Sequence, residues 1–195
     1  MRITIEAERY LLRDFREADR RAFMAYQMDP RYVSLYDFDP SDTRRASDLF
    51  DLFVAWQSAV PRRNFQLGIF DQRSGDLYGC AGLRKTTDET AVLGLEIAPA
   101  YWGRFALAVD ASAALIDHGF HVLQLTRIMG DTASGNTRIE KLARWFGATL
   151  VAKRKGPEWM RTRGFHEVDW AIDRDAWVKR SHRRASYRWA QSAAH

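Results

Sequence analysis

Residues 93–108, LGLEIAPAYWGRFALA, decide the fold of this chain. The first part alternates in side-chain character as a strand does, and Pro99 ends it. A short loop built on Gly103 and Arg104 follows, and an alanine-rich helix begins directly after it. The N-terminus of a helix has unpaired N–H groups, and a nearby glycine lets a phosphate approach the main chain. The stretch therefore indicates either an anion site or an ordinary strand-to-helix turn.

A second motif, DTASGNTRIEKLARWFGA, occupies residues 131–148. A strand leads into a polar turn, and the turn leads into a helix that Gly147 closes. The combined order is strand, loop, helix, strand, turn and helix. This order and spacing resemble the GNAT superfamily of acyl-CoA-dependent N-acyltransferases, and within it the branch of the ribosomal-protein N-terminal acetyltransferases. The resemblance covers residues 8–177.

Seven strands and four long helices are predicted from periodicity and turn signals, as a mixed α/β (α+β) fold. The resemblance implies a GNAT-like central sheet, mostly antiparallel and splayed, with helices on both faces. Residues 155–166 are predicted as a loop. The strands are expected at residues 10–13, 65–70, 77–83, 91–98, 125–130, 149–153 and 167–172. The helices are expected at residues 16–26, 41–60, 106–120 and 136–146.

Length and composition agree with one globular domain. The chain has 195 residues, of which 46% are hydrophobic, so we expect a single domain over residues 1–178. Residues 179–195 are expected to be a basic tail or a terminal helix. The single cysteine, Cys80, cannot form an internal disulfide and indicates a small core residue. We expect a cytoplasmic protein, because no membrane span or export signal is visible.

The net charge of +5 would attract an acidic ligand, either a phosphate-bearing cofactor or nucleic acid. We favour the cofactor, since the basic and aromatic residues of the C-terminus form only a short terminal stretch. The histidines lack the neighbouring ligands of a metal site, so none is predicted. The oligomeric state stays open, with a homodimer as one option.

The resemblance implies acetyl transfer from acetyl-CoA to an amine, and it implies which residues hold coenzyme A. The diphosphate is expected on the loop and helix start, and the pantetheine arm on the exposed backbone beside Pro99. Asn136, from the second motif, is expected to hold the pantetheine or to orient the helix. The expected cofactor-binding residues are Ile97, Ala98, Trp102, Gly103, Arg104, Phe105, Ala106, Leu107, Asn136 and Arg138.

Glu96 and Asn136 are the candidate catalytic residues. Glu96 is out of phase with Leu95 and Ile97, so its carboxylate is expected on the opposite face of the strand. It is predicted as the general base, with an ordinary exposed strand carboxylate as the alternative. Many relatives carry a Tyr or Ser in the second helix as the proton donor to the leaving thiolate. Here Ile139 and Ala143 occupy those positions, and neither can donate.

The cofactor loop also departs from the family pattern, because Phe105 stands near the place of its second glycine.

The amine acceptor is expected to be a small molecule or a protein N-terminus. A non-catalytic acyl-CoA sensor is the alternative function, and a nucleic-acid-binding module is a third. Aromatic residues and one carboxylate are expected to line the acceptor site, or equally to pack in the core: Tyr32, Tyr36, Trp56, Glu158 and Trp159.

Overall fold

The computed structural model describes residues 2–7, 9–34, 39, 42–181 and 188–191. Nine strands lie in these residues: β1 Ile3–Glu6, β2 Tyr10–Asp14, β3 Asn64–Asp71, β4 Leu77–Lys85, β5 Thr90–Ile97, β6 Arg127–Ala133, β7 Thr149–Arg154, β8 Glu167–Asp173 and β9 Arg188–Gln191. The α-helices in the same part of the chain are α1 Arg20–Gln27, α2 Pro30–Val33, α3 Thr43–Gln57, α4 Phe105–His121, α5 Thr137–Phe146, α6 Glu158–Arg161 and α7 Arg174–Ser181.

The chain forms two compact units. The first comprises Met1–Arg84, Gly94–Leu115 and Tyr187–His195, within the described residues. Its strands are neighbours in the order β9-β1-β2-β3-β4-β5. The pairs from β9 to β4 are antiparallel, as expected for a sheet built from hairpins.

The second unit comprises Lys85–Leu93 and Ile116–Ser186, again within the described residues. The order of its strands is β5-β6-β8-β7. β5 and β6 pair in parallel from Thr90↔Arg127 to Val92↔Met129, whereas β8 pairs antiparallel with both of its neighbours. The mixed sheet predicted from the sequence is therefore confirmed.

An aromatic core holds the first unit together. Phe15, Phe23 and Phe50 are buried, and their ring centroids lie 5.4–5.5 Å apart in edge-to-face contacts. Such edge-to-face pairs are favoured because the positive edge of one ring meets the negative face of the next. α3 supplies its part of the core from residues three and four apart, which share one helical face: Ala46, Phe50 and Phe53.

Side chains cap the starts of two helices, and a glycine ends one of them. The Asp42 side chain accepts hydrogen bonds from the N–H groups of Arg44 and Arg45 at the start of α3. In the second unit, the Asn136 side chain caps α5 by accepting from the N–H of Ile139 at 3.2 Å. Gly147 follows α5 with φ +74°, the left-handed conformation expected at that position.

The expected strand count is corrected from seven to nine, and the two additional strands pair with each other. β1 and β9 are four residues each, and they align from Ile3↔Gln191 to Glu6↔Arg188. A tail or terminal helix was expected at Arg188–Gln191, and the structure instead shows a strand there. Its pairing satisfies backbone groups along β1 that an uncovered edge would leave unpaired.

The four predicted long helices are confirmed, with ends that differ by at most four residues. The first begins at Arg20 rather than at residue 16, after a 3-10 turn over Glu17–Asp19. The second ends at Gln57, before the expected stop at Pro61. The loop expected at residues 155–166 contains the one-turn helix α6. No helix in the described residues combines the length and the apolar character needed to cross a membrane.

Candidate active site

Glu96 lies on β5 in the first unit, where its carboxylate is half-buried. Its Oε2 accepts a hydrogen bond from the Gln27 side-chain amide at 2.7 Å and lies 3.2 Å from the Tyr26 hydroxyl. Within the described residues, every hydrogen bond to this carboxylate reaches Oε2. The site therefore holds one carboxylate oxygen with neutral donors and leaves Oε1 for another partner.

The backbone beside Glu96 depends on a glycine in β4. Gly79 has φ +148°, and a Cβ there would lie 2.0 Å from the Glu96 carbonyl oxygen. Any side chain would therefore push β5 away from β4. The close approach fixes the strand segment that carries Glu96, so the position of the carboxylate is set by main-chain packing.

A buried thiol lies behind the carboxylate. The Cys80 Sγ is 3.6 Å from the Glu96 Oε2, and it accepts from the Gln66 amide at 3.2 Å and lies 3.3 Å from the Tyr26 hydroxyl. Burial raises the pKa of the Cys80 thiol well above its ordinary value, and the nearby Glu96 charge adds to this. Burial likewise raises the pKa of Tyr26, so both groups are protonated at neutral pH.

We name Glu96, Tyr26, Gln27, Cys80 and Gln66 the Glu96 cluster. Sequence analysis identified Glu96 and assigned Cys80 only to the core, and it did not identify Tyr26 or either glutamine as part of the site. Gln66 carried a signal in the sequence, because it is a polar residue within the apolar strand β3. The structure shows it to be 3% exposed. Gln27 is the last residue of α1, and a helix-end glutamine is ordinarily a surface residue. Only the tertiary structure shows it to be buried.

The backbone of Ile97 and Ala98 corrects the expected pantetheine contact. The Ala98 N–H donates to the Tyr78 carbonyl at 2.9 Å, and the Ala98 carbonyl accepts from the Tyr101 N–H at 2.8 Å. The Ile97 carbonyl accepts from the Trp102 indole N–H at 2.7 Å. The two carbonyls are engaged because a 3-10 turn over Pro99–Tyr101 folds the chain back on itself, whereas the Ala98 N–H is engaged by the neighbouring strand β4. The Ile97 N–H remains the candidate donor.

The loop between β5 and α4 leaves open space at Gly103. Gly103 has φ +87°, and a Cβ there would meet no atom within 4 Å, so the main chain is open to an approaching group. α4 begins two residues later and is 17 residues long. Its dipole favours a negative charge. The N–H groups of Arg104, Phe105 and Leu107 already donate to carbonyls of this segment, at 3.4, 3.0 and 3.1 Å, so these three are not free donors. The open approach at Gly103 fits the diphosphate of coenzyme A.

Arg104 places a cation beside this loop. Its guanidinium carbon lies 5.6 Å from the ring centroid of Tyr78 and 5.1 Å from that of Tyr101. These cation–π contacts hold an exposed arginine near the start of α4, and guanidinium geometry suits phosphate.

The first three residues of α4 differ in their surroundings. Phe105 is 38% exposed, so its ring is not sequestered in the core, and Ala106 is exposed beside it. The Leu107 side chain is fully buried and its N–H donates to the Arg104 carbonyl at 3.1 Å, so this residue has no free donor for a ligand.

Two expected acceptor-site residues lie in the aromatic core of the first unit. Tyr32 is 4% exposed, and its hydroxyl accepts from the Gln27 amide at 3.3 Å. Trp56 is half-buried, with its ring centroid 5.4 Å from that of Phe53. Of the two alternatives left open for Tyr32, the structure favours core packing. Tyr36 lies outside the described residues.

The remaining expected site residues belong to the second unit. The Asn136 side chain caps α5, as described above, and Arg138 is exposed in the first turn of that helix. Glu158 is exposed at the start of α6, and the half-buried Trp159 ring lies 5.7 Å from the Arg163 guanidinium carbon. The described residues contain no group of three His, Cys, Asp or Glu side chains arranged to hold a metal ion.

The class of this protein follows from its fold and from a match to a protein-family model. A family model described as the acetyltransferase (GNAT) domain matches residues 9–149, which is more than half of the chain. The chain belongs to the GNAT acetyltransferase family, and it is an acetyl-CoA-dependent acetyltransferase.

Solved structures agree with this assignment at the level of the fold. A GNAT-family acetyltransferase from Bacillus anthracis is 21% identical over 89% of this chain and 99% of that chain, with a TM-score of 0.71. A spermidine N-acetyltransferase from Vibrio cholerae, solved with CoA and spermine, is 16% identical over 87% and 98%, with a TM-score of 0.72. A ribosomal-protein-S5-alanine acetyltransferase from Vibrio fischeri is 17% identical over 90% and 98%, with a TM-score of 0.70.

Proposed function

We propose that this acetyltransferase transfers the acetyl group directly to a primary amine, with Glu96 as the general base. The observation that carries the proposal is the Glu96 carboxylate, which is half-buried on β5 with hydrogen bonds only to Oε2 among the described residues. An oxygen left without a hydrogen-bond donor can accept the ammonium proton of a substrate.

A base is needed because an alkyl ammonium has a pKa near 10 and is mostly unreactive at neutral pH. Glu96 removes one proton, directly or through a water, so that the nitrogen lone pair can attack the thioester carbonyl. Such assistance contributes roughly 10²- to 10⁴-fold in rate. Attack forms the amide C–N bond, and the C–S bond breaks to release coenzyme A as its thiol.

Coenzyme A would be held mainly by the loop between β5 and α4. The open main chain at Gly103 and the Arg104 guanidinium would take the diphosphate, and the Ile97 N–H would donate to the acetyl carbonyl. Asn136 and Arg138 are proposed as further contacts from the second motif. When bound, acetyl-CoA supplies an activated acyl group, which the chain itself does not carry.

The proton that the sulfur requires has no tyrosine or serine donor on α5. The two positions where relatives carry such a donor hold Ile139 and Ala143, which are half-buried. We propose that the thiolate is protonated by a water or by the second proton of the attacking amine.

The acceptor is proposed to be a small-molecule amine or a protein N-terminus. This chain is similar in fold to a spermidine N-acetyltransferase and to a ribosomal-protein-S5-alanine acetyltransferase, and both names describe amine acetylation. Glu158 and Trp159 are proposed to line the acceptor site. A carboxylate beside an aromatic ring suits an amine with an apolar neighbour.

The test is E96Q, which keeps the size of the side chain but removes its basicity. Turnover is measured as thiol release over a panel of polyamines and N-terminal peptides. We expect kcat to fall roughly 10²- to 10⁴-fold, while calorimetry gives an unchanged Kd for acetyl-CoA.

The matched control is E89Q, an exposed carboxylate in the turn before β5, for which we expect wild-type turnover. Wild-type turnover by E96Q would show that Glu96 is not the base. Failure of the wild-type protein to acetylate any amine would overturn the proposed function.

A further inference from the structure

Gln27 connects Glu96 to a cation that does not touch it. It ends α1 and has no exposed surface. Its Oε1 accepts from the Arg45 guanidinium at 3.1 Å, and its backbone carbonyl accepts from the same guanidinium at 3.0 Å. Its Nε2 donates to Glu96 at 2.7 Å and to the Tyr32 hydroxyl at 3.3 Å. The contacts therefore run from α3 through α1 to β5.

The orientation of the Gln27 amide follows from the chemistry of its partners. Arginine has donors and no acceptor, so the amide oxygen must face Arg45. The amide nitrogen then faces Glu96, and a nitrogen donor requires an acceptor opposite it. A flipped amide would set two acceptors against each other unless Glu96 carried a proton. Arg45 thus determines which end of Gln27 the carboxylate meets.

We infer that Gln27 and Arg45 are positioning residues for the general base: together they hold Glu96 as a carboxylate with Oε2 occupied, which leaves Oε1 for the amine. The inference rests on the proposed function, because it assumes that Glu96 acts as the base. Neither residue touches a reacting atom. Arg45 acts through Gln27, and Gln27 acts through Glu96.

The other groups that face Glu96 in the first unit do not supply a charge. Tyr26 comes from α1 and Cys80 from β4, and burial raises the pKa of each, so both are neutral in the range where a carboxylate titrates. The Tyr32 hydroxyl, from α2, meets the Gln27 amide instead. Among these contacts Arg45 is the cation. It acts on Glu96 by fixing the orientation of the Gln27 amide, whose N–H then points at the carboxylate.

The test compares the acid limbs of the pH profiles of kcat/KM for the wild type, Q27M and R45M. Q27M keeps the length of the side chain but removes the donor to Glu96. We expect its acid limb to move upward by about one pH unit, the size of a lost hydrogen bond to a charged group. R45M leaves the amide free to flip, and we expect a smaller shift in the same direction.

Three further variants separate positioning from packing. Q57M removes another glutamine hydrogen bond of this unit, from Nε2 to the Phe15 carbonyl at 3.1 Å. R44M removes an exposed arginine next to Arg45. Both should leave the acid limb in place, even where Q57M lowers the melting temperature. R45K keeps a donor, and we expect it to restore most of the limb position that R45M loses.

A second readout does not depend on turnover. The side-chain carboxyl ¹³C signal of Glu96, assigned by its loss in E96Q, should titrate at higher pH in Q27M and R45M than in the wild type. If Q27M does not fold, R45M alone decides the outcome. Unchanged titration in the folded variants would overturn the inference while leaving Glu96 as the base. Full activity of E96Q would instead overturn the proposed function.

Discussion

Two carboxylates of the first unit, Asp14 and Glu96, accept hydrogen bonds from different kinds of donor. Asp14 ends β2, and both of its oxygens accept from the Arg62 guanidinium, at 2.6 and 2.9 Å. Its Oδ2 also accepts from the Ile3 N–H at 2.9 Å, and its side chain is only 3% exposed. Glu96 meets neutral donors at Oε2, and no described cation touches it.

The comparison separates a carboxylate that stabilises from one suited to react. A buried charge that meets a bidentate arginine is compensated where it lies, and removing its partner is costly. Such a carboxylate has little capacity left to accept a proton from a ligand. The Glu96 carboxylate keeps an oxygen to which no described residue donates, and it lies on the strand that leads to the loop proposed to bind the cofactor. Location and spare acceptor capacity are the reasons why we propose Glu96, and not Asp14, as the general base.

The largest effect on stability is expected from D14A. It leaves the Arg62 guanidinium buried without its counter-charge, so we expect the free energy of unfolding to fall by about 3–5 kcal/mol. Urea titration measures this change. The folded fraction of D14A should keep the wild-type kcat, because Asp14 is remote from the reaction as proposed.

The double variant D14L/R62M sharpens this test. It removes both charges, and its loss of stability should be smaller than that of D14A, since no buried charge is left alone. A D14A variant as stable as the wild type would contradict the structural role assigned to the Asp14–Arg62 pair. A large loss of kcat in folded D14A would contradict the distinction between the two carboxylates.

A smaller effect is expected from Y26F, which probes the neutral donors around Glu96. The Tyr26 hydroxyl lies 3.2 Å from the Glu96 Oε2 and 3.3 Å from the Cys80 Sγ, and its single hydrogen can serve only one of them. Donation to the charged oxygen is stronger, so we expect kcat/KM to fall about tenfold. Steady-state kinetics, corrected for the folded fraction, measures this. Wild-type kinetics in Y26F would mean that the hydroxyl donates to the thiol instead.

Sequence reasoning succeeded where the signal is local. The four long helices and seven of the strands follow from periodicity, and the end of α5 follows from the ability of Gly147 to adopt the left-handed conformation. β1 and β9 were missed because each is four residues long, and each is stabilised by a partner about 185 positions away. A local stretch of sequence includes only one of these two strands, so it does not show that they pair.

The sequence predicts the carboxylate of the candidate site, but it does not predict the residues that surround this carboxylate. Strand alternation places Glu96 on its own face, opposite Leu95 and Ile97. The orientation of Gln27 depends on Arg45, which is 18 residues away on another helix. The engaged backbone of Ala98 depends on hydrogen bonds to Tyr78 and Tyr101, which alternation does not predict.

The smallest effect is expected from D71N, a carboxylate that is held by neutral donors, as Glu96 is, but in an exposed turn. Asp71 accepts from the N–H groups of Arg73 and Ser74, each at 2.8 Å, and from the Tyr78 hydroxyl at 2.9 Å. These donors lower the pKa of Asp71 from 3.8 to about 2, and the backbone N–H of Ser74 contributes most. A carboxyl whose pKa is lower in the folded state stabilises the fold above its unfolded pKa. That contribution disappears as the pH falls from about 4 to about 2.

Urea midpoints measured between pH 2 and pH 7 test this, with D131N as a control that removes an exposed charge from β6. The fall in stability below pH 4 should be shallower in D71N than in the wild type, and D131N should follow the wild type. Parallel curves for D71N and the wild type would mean that the turn does not hold Asp71 as an anion. Because solvent screens an exposed group, the D71N effect should stay below that of D14A. That order would show that burial, more than the number of donors, determines how much a carboxylate contributes to this fold.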